Sequence, residues 1–103
     1  MQIKRVRGVE YAIYNPIPCY NGRAVAEGTA GRTPFVLRKS TDGGKTFGEL
    51  NVVEDDPGRG YCYPAITETE DGALLLAYCR GSADDGNMLC RLGIARIETD
   101  SVE

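Results

Sequence analysis

Apolar residues along this chain come in short runs of Val, Ile, Leu, Tyr and Phe, broken every few positions by Gly, Asp, Asn or Pro. No stretch keeps a 3.6-residue apolar period. The pattern predicts an all-β protein. The first run, residues 9–15, ends at Pro16 and Pro18, which have no amide proton to give to a ladder. Residues 20–32 read as a loop of small residues and Gly, holding at most a short strand around 24–26. A second run, 33–40, enters the turn Thr41-Asp42-Gly43-Gly44-Lys45, and 47–53 leaves it, so these form a hairpin. Residues 54–60, with Asp55-Asp56-Pro57-Gly58, are the strongest break and predict a boundary between two halves. Beyond it, 61–67 and 73–79 flank Glu70-Asp71-Gly72, an Asp-Gly pair of the kind that tight hairpins favour because their turn positions need positive φ. A last strand is expected within 88–98, where Leu92 and Ile94 alternate with Gly93, Ala95 and Ile97. Residues 99–103 read as a frayed polar tail.

Short strands at this spacing suit a sandwich, a barrel or part of a propeller. Composition narrows function more than fold. At 103 residues the chain is one small domain or a piece of a larger one. Lys and Arg total 12 against 15 Asp and Glu, with no His and a net charge of -3, so neither nucleic acid nor an anionic membrane is the expected partner. No apolar run approaches the roughly 20 residues of a membrane-spanning helix. The start, Met-Gln-Ile-Lys-Arg-Val-Arg, is basic without the apolar segment of a secretory signal, which leaves the compartment open. Cys19, Cys62, Cys79 and Cys90 form no Cys-x-x-Cys pair, and without His neither a metal site nor a cofactor is expected. They read as reduced structural thiols; a Cys79–Cys90 bridge is the alternative in an oxidising compartment.

One segment is far more specific than the rest. Ser40-x-Asp42-x-Gly44-x-Thr46-Phe47 fits the pattern Ser-x-Asp-x-Gly-x-Thr-(Trp/Phe) at every defined position, which is an Asp box. Each residue type has a physical task. The hydroxyls and the carboxylate can bond backbone amides within a tight turn, Gly44 can take a φ closed to other residues, and Phe47 can pack beneath the loop. The box therefore reads as a folding device, and Asp42 as structural. Gly44-Lys45-Thr46 also matches the end of a phosphate-binding loop, but Lys39 stands where that loop needs its first Gly, and the context is strand, turn, strand. Ser82-x-Asp84-x-Gly86 repeats the spacing but has Met88 and Leu89 in place of Thr and an aromatic, so it reads as an ordinary loop, with a degenerate repeat as the alternative.

The box does not stand by itself. Tyr14-Asn15-Pro16, Gly31-Arg32-Thr33-Pro34-Phe35, Tyr61-Cys62-Tyr63-Pro64-Ala65-Ile66 and Asp71-Gly72-Ala73-Leu74-Leu75-Leu76-Ala77-Tyr78 follow in an order and spacing that resemble the closing portion of the BNR-repeat (Asp-box) sialidase, or neuraminidase, family. The resemblance covers roughly residues 9–98. It implies antiparallel blades of a six-bladed β-propeller. Residues 1–103 would be a single partial propeller domain, 9–53 the penultimate blade with its Asp box, and 61–98 the inner strands of the last blade.

What the family does sets expectations for individual residues. Exo-sialidases hold an acidic sugar by its carboxylate with an arginine triad and use a tyrosine nucleophile assisted by a glutamate, together with an aspartic acid/base; the tyrosine is an exception to the two-carboxylate rule. Arginine suits the first task because its planar fork bonds a carboxylate bidentately. By position, Arg32 is similar to the third arginine and Tyr63 to the nucleophile. Tyr61 is the neighbouring candidate, and Asn15 would line the same pocket. Beside these stand plainer readings: a solvated Arg32, a packed Tyr63, and Asn15 as a strand-ending turn residue. The chain departs from the pattern in having no Arg-Ile-Pro motif and in lacking the early-blade aspartate and glutamate.

Two functions are therefore expected. In the first, the chain is the C-terminal fragment of a sialidase-like exo-glycoside hydrolase for sialylated or related acidic glycans, inactive without the remaining blades. In the second, it is a non-catalytic carbohydrate-binding module whose propeller is closed by homo-oligomerisation. The family has both secreted and cytoplasmic bacterial members.

Overall fold

The apolar runs become two antiparallel sheets. The computed structural model describes residues 2–16, 32–86 and 89–103. The first sheet is a meander of four strands, β1 (Gln2–Val6), β2 (Val9–Tyr14), β3 (Phe35–Ser40) and β4 (Asn51–Glu54), paired in chain order. The second has three, β5 (Cys62–Glu68), β6 (Leu74–Cys79) and β7 (Leu92–Ile97), again in chain order. Among the described residues, helix is limited to two 3₁₀ turns, Ala83–Asp85 and Thr99–Ser101. The short strand expected around 24–26, Cys19, and the start of the last strand at Met88 lie outside the described residues.

Several boundaries differ from expectation, each for a local reason. β1 was not anticipated, because Gln2-Ile3-Lys4-Arg5 is almost wholly exposed and shows no buried alternation. It is held by a two-residue turn at Arg7-Gly8, with φ of 51° and 84°, that sets Val6 opposite Val9. Positive φ at both central positions is the type I′ hairpin, whose twist matches its strands. β3 starts at Phe35, since Pro34 before it has no amide proton to give to a ladder; the Thr33-Pro34 peptide is cis. β4 is confined to 51–54, after a non-strand passage through 47–50.

The sheets pack face to face. Tyr11, Ile13, Phe35 and Leu37 of the first sheet meet Leu74, Leu76 and Tyr78 of β6 with Tyr61, in a core flanked by Val6 and Val102. The alternation on β6 is complete: Leu74, Leu76 and Tyr78 are buried while Leu75, Ala77 and Cys79 are half-buried. Phe35 is the aromatic hinge of this core, with ring centroids 6.0 Å from Tyr61 and 4.9 Å from Tyr78. Within the second sheet, Gly93 of β7 lies beneath side chains at the end of β6: a Cβ there would lie 2.4 Å from Arg80 Cδ and 2.8 Å from the Tyr78 ring, so a larger residue would have to displace them.

Polar ties close both ends of the interface. Tyr78 Oη donates to Glu54 Oε2 at 2.7 Å, and Arg80 Nε donates to the same oxygen at 2.9 Å, which joins the ends of β6 and β4. At the opposite end, Arg7 Nε donates to Glu68 Oε2 at 2.8 Å, linking the first hairpin to β5. The tail expected to fray is instead docked. Val102 is buried in the core, and Asn51 Oδ1 accepts from the Glu103 amide at 3.0 Å. The Val102 side chain and a two-way tie to Asn51, whose Nδ2 also donates to the Glu103 carbonyl at 3.2 Å, order residues that look polar in sequence.

Candidate functional site

The Asp box folds as its chemistry requires. Ser40 Oγ donates to Asp42 Oδ1 at 2.7 Å and accepts the Gly44 amide at 2.9 Å. The Thr46 amide and hydroxyl donate to the two Asp42 oxygens at 2.9 and 2.5 Å. Gly43 and Gly44 both take positive φ, 79° and 91°. The Thr46 hydroxyl, with its amide and the Ser40 hydroxyl, holds the Asp42 carboxyl well below the usual carboxylate range. Arg38 completes the closure by donating to the carbonyl oxygens of Gly48 and Phe47 at 2.7 and 3.1 Å. Phe47 is half-buried and lines a small hollow with Ile3 and Ala12. The look-alike at 82–86 is built differently. There Ser82 bonds Asp85, at 3.2 Å from both its amide and its hydroxyl, and Asp84 is exposed in a 3₁₀ turn.

At the other end of β3, three of the residues expected to bind substrate come together. Asn15, Arg32 and Tyr63 line one cleft of about 210 Å³, with Gln2, Tyr14, Phe35, Cys62 and Pro64. Asn15 reaches it as β2 ends and donates from Nδ2 to the Pro34 carbonyl at 3.0 Å. Arg32 is fixed through its backbone, whose carbonyl accepts the Tyr61 amide at 2.8 Å. Its guanidinium carbon lies 5.9 Å from the centroid of the Tyr63 ring, a cation–π contact.

Tyr63 owes its place to a backbone irregularity. The ladder between β5 and β6 shifts register between Cys62 and Ala65, and Tyr63 takes φ of 51°. Positive φ in a non-glycine residue costs roughly 1–2 kcal/mol, and bulges commonly re-aim a side chain. Here the result is a tyrosine 67% exposed beside Arg32. Tyr61, the competing candidate, does not line the cleft: it is fully buried and stacked on Phe35. Burial, reinforced by the Glu54 carboxylate, pushes its hydroxyl up to about 12, against a smaller opposing pull from the Asp56 backbone. Of the two tyrosines, Tyr63 alone presents its phenol to solvent.

Sequence reasoning missed Gln2, Tyr14 and Cys62 as cleft residues. Gln2 could have been found through the Arg7-Gly8 turn, which folds β1 back along β2. Cys62 adjoins Arg32, whose charge and hydrogen bond favour its thiolate, although burial and the neighbouring Cys79 still hold the thiol above its ordinary range. The Cys79–Cys90 bridge is not made. Cys79 stands opposite Cys62 on one side and Leu92 on the other, because the β5–β6 and β6–β7 registers leave it facing strand residues.

A larger hollow of about 690 Å³ opens between β4, β7 and the C-terminal tail. It has no comparable chemistry, since its polar groups serve one another or the strand ends: Arg96 with Glu98 at 2.8 Å, and Asn51 with Glu103 at 3.0 Å. The cleft is therefore the candidate site. It belongs to a chain of two packed antiparallel sheets, with a folded turn at one end of β3 and a cationic, aromatic pocket at the other. Compared with known proteins, the chain matches no family model, no curated protein and no solved structure.

Proposed function

We propose that this chain forms two adjoining blades of a sialidase-like propeller and contributes one wall of a site for an acidic sugar. The observation that carries the reading is the convergence of Arg32 and Tyr63, 5.9 Å apart, with Asn15 in one cleft. Arg32 would hold the sugar carboxylate, and Tyr63 would sit beside the anomeric carbon as nucleophile. Asn15 would border the ring. The cleft, at about 210 Å³, is smaller than the roughly 300–1,000 Å³ of ordinary ligand pockets, which suits one wall of a shared site.

The arrangement of strands supports the same reading. Each sheet is a meander, and β5, the first strand of the second sheet, lies against β1 and β2 of the first. Adjacent propeller blades meet in this way, first strands together near the axis and outer strands diverging, as β4 and β7 do across the 690 Å³ hollow. The Asp box sits at the far end of β3 from the cleft, as a folding device remote from a ligand would.

The test is binding of N-acetylneuraminate followed by NMR on the 103-residue chain. Shifts at Asn15, Arg32 and Tyr63 are expected, with affinity falling about tenfold or more in Arg32→Ala, and a comparable loss for the sugar's methyl ester. Equal affinity for acid and ester, or for the Arg32→Ala chain, would overturn the reading. No turnover of a fluorogenic sialoside is expected from the chain by itself, because the partners of Arg32 in the triad are missing from it; turnover would sink the partial-site version.

A second reading rests on β7, whose Leu92 and Ile94 are 67% and 64% exposed on an outer strand. Such an edge is a liability unless covered. Copies of the chain closing a propeller would cover it and make a non-catalytic sugar-binding module. Light scattering decides: a trimer at micromolar concentration supports this version, and a monomer excludes it.

A further inference from the structure

The β5–β6 register sets Cys62 directly opposite Cys79. Residues facing each other across an antiparallel pair have Cα atoms about 4.5–5.5 Å apart, inside the window of about 4.4–6.8 Å that a disulfide spans. The pairing stands at the end of its ladder, next to the register shift between Cys62 and Ala65, while on its other side Cys79 is paired with Leu92 of β7. Both cysteines are reduced, Cys62 buried on the cleft wall and Cys79 half-buried on the neighbouring strand.

We propose that Cys62 and Cys79 form an oxidative modification site, closing into a cross-strand disulfide when the chain meets a small-molecule disulfide such as oxidised glutathione. The more accessible Cys79 reacts first. Its thiolate attacks one sulfur of the oxidant, the oxidant's S–S bond breaks, and one glutathione thiolate leaves and takes up the proton that Cys79 lost. Cys62 then gives up its proton and attacks the Cys79 sulfur, forming the protein S–S bond and expelling the second glutathione. The two protein thiols are oxidised by two electrons, and one glutathione disulfide is reduced to two thiols. Arg32 adjoins Cys62 and favours its thiolate in the second step, offsetting part of the penalty that burial imposes. The neighbouring Tyr63 would then be tied to β6 through the residue before it. The inference does not depend on the sugar reading, since it rests on strand register.

The experiment uses the full chain without substitutions. It is incubated with oxidised glutathione, quenched in acid, alkylated and digested, and its peptides are mapped by mass. The expected product links the Cys62 and Cys79 peptides with loss of two hydrogen atoms and returns to the alkylated pair after dithiothreitol. Recovery of Cys62 and Cys79 both alkylated, or carrying glutathione without the link, would overturn the proposal. A Cys79→Ala chain provides the control: Cys62 should then remain alkylatable, and its resistance to alkylation would mean that another partner had captured it.

Discussion

At the Ser40 end of β3, hydroxyl and carboxylate groups are turned onto their own loop, and Asp42 accepts from Ser40 and twice from Thr46. At the Phe35 end, Arg32 and Tyr63 meet across an open cleft, with Tyr63 in a strained conformation. The two ends use similar polar and aromatic residue types. What separates them is whether those groups satisfy the chain's own backbone or stand toward solvent together. The first arrangement adds stability and leaves little for a ligand; the second costs stability and offers charge and a phenol to one.

Substitutions at Phe35, Asp42 and Tyr63 test that contrast. The largest effect is expected beneath the cleft, where Phe35→Ala removes the ring packed on Tyr61 and Tyr78 and should cost about 3–5 kcal/mol in urea unfolding. A loss this size would leave little of a small domain's stability. A loss under about 1 kcal/mol would show that the sheets are not held by this contact.

At the Asp-box end, Asp42→Ala should lower Tm while leaving any ligand affinity at the cleft unchanged. Asp84→Ala, in the look-alike loop, should leave Tm where it was. The folded Asp42 carboxyl lies below its ordinary value of 3.8, so its stabilisation is present above that pH and is lost as pH falls below it. Asp71, held at about 2 by the Thr69 hydroxyl and Arg96, and Asp85, at about 2 beside Arg91, act in the same direction. Stability should therefore be steady from pH 7 to 5 and drop between 3.8 and about 2, less steeply in Asp42→Asn than in the native chain. An unchanged slope in Asp42→Asn would mean that the box carboxylate is not the group being protonated.

The smallest effect belongs to Tyr63. Within a strand, glycine is ordinarily the less stable choice beside alanine by roughly 0.5–1 kcal/mol. At φ of 51° the order should invert, with Tyr63→Gly the more stable of the two by about 1 kcal/mol. The ordinary order would show that Tyr63 carries no backbone strain.

How much was legible follows from the range of each interaction. The Asp-box turn was readable because its bonds span two to four residues, so spelling and geometry coincide. The same spacing at 82–86 failed to build a box because no Thr stands where Thr46 would, and Ser82 found Asp85 instead. β1 was hidden because it is an exposed strand with little apolar signal. Tyr61, just before β5, and Tyr63, within it, are two positions apart and could not be ranked without the irregularity that leaves one buried and the other exposed. The tie among Glu54, Tyr78 and Arg80 joins residues 24 and 26 positions apart, which no local pattern encodes.

By itself, then, the sequence determined the all-β character, the hairpins at Asp42 and Asp71-Gly72, and a short list of candidates, Asn15, Arg32, Tyr61 and Tyr63. Those features depend on alternation, turn chemistry and residue type, which neighbouring positions carry. Only the tertiary structure decided that Asn15, Arg32 and Tyr63 share a cleft, that Tyr61 belongs to the core, that the C-terminal tail is docked, and that Cys62 faces Cys79. Each of those outcomes is a matter of register between segments distant in the chain, and register is set by how two sheets bury one common face.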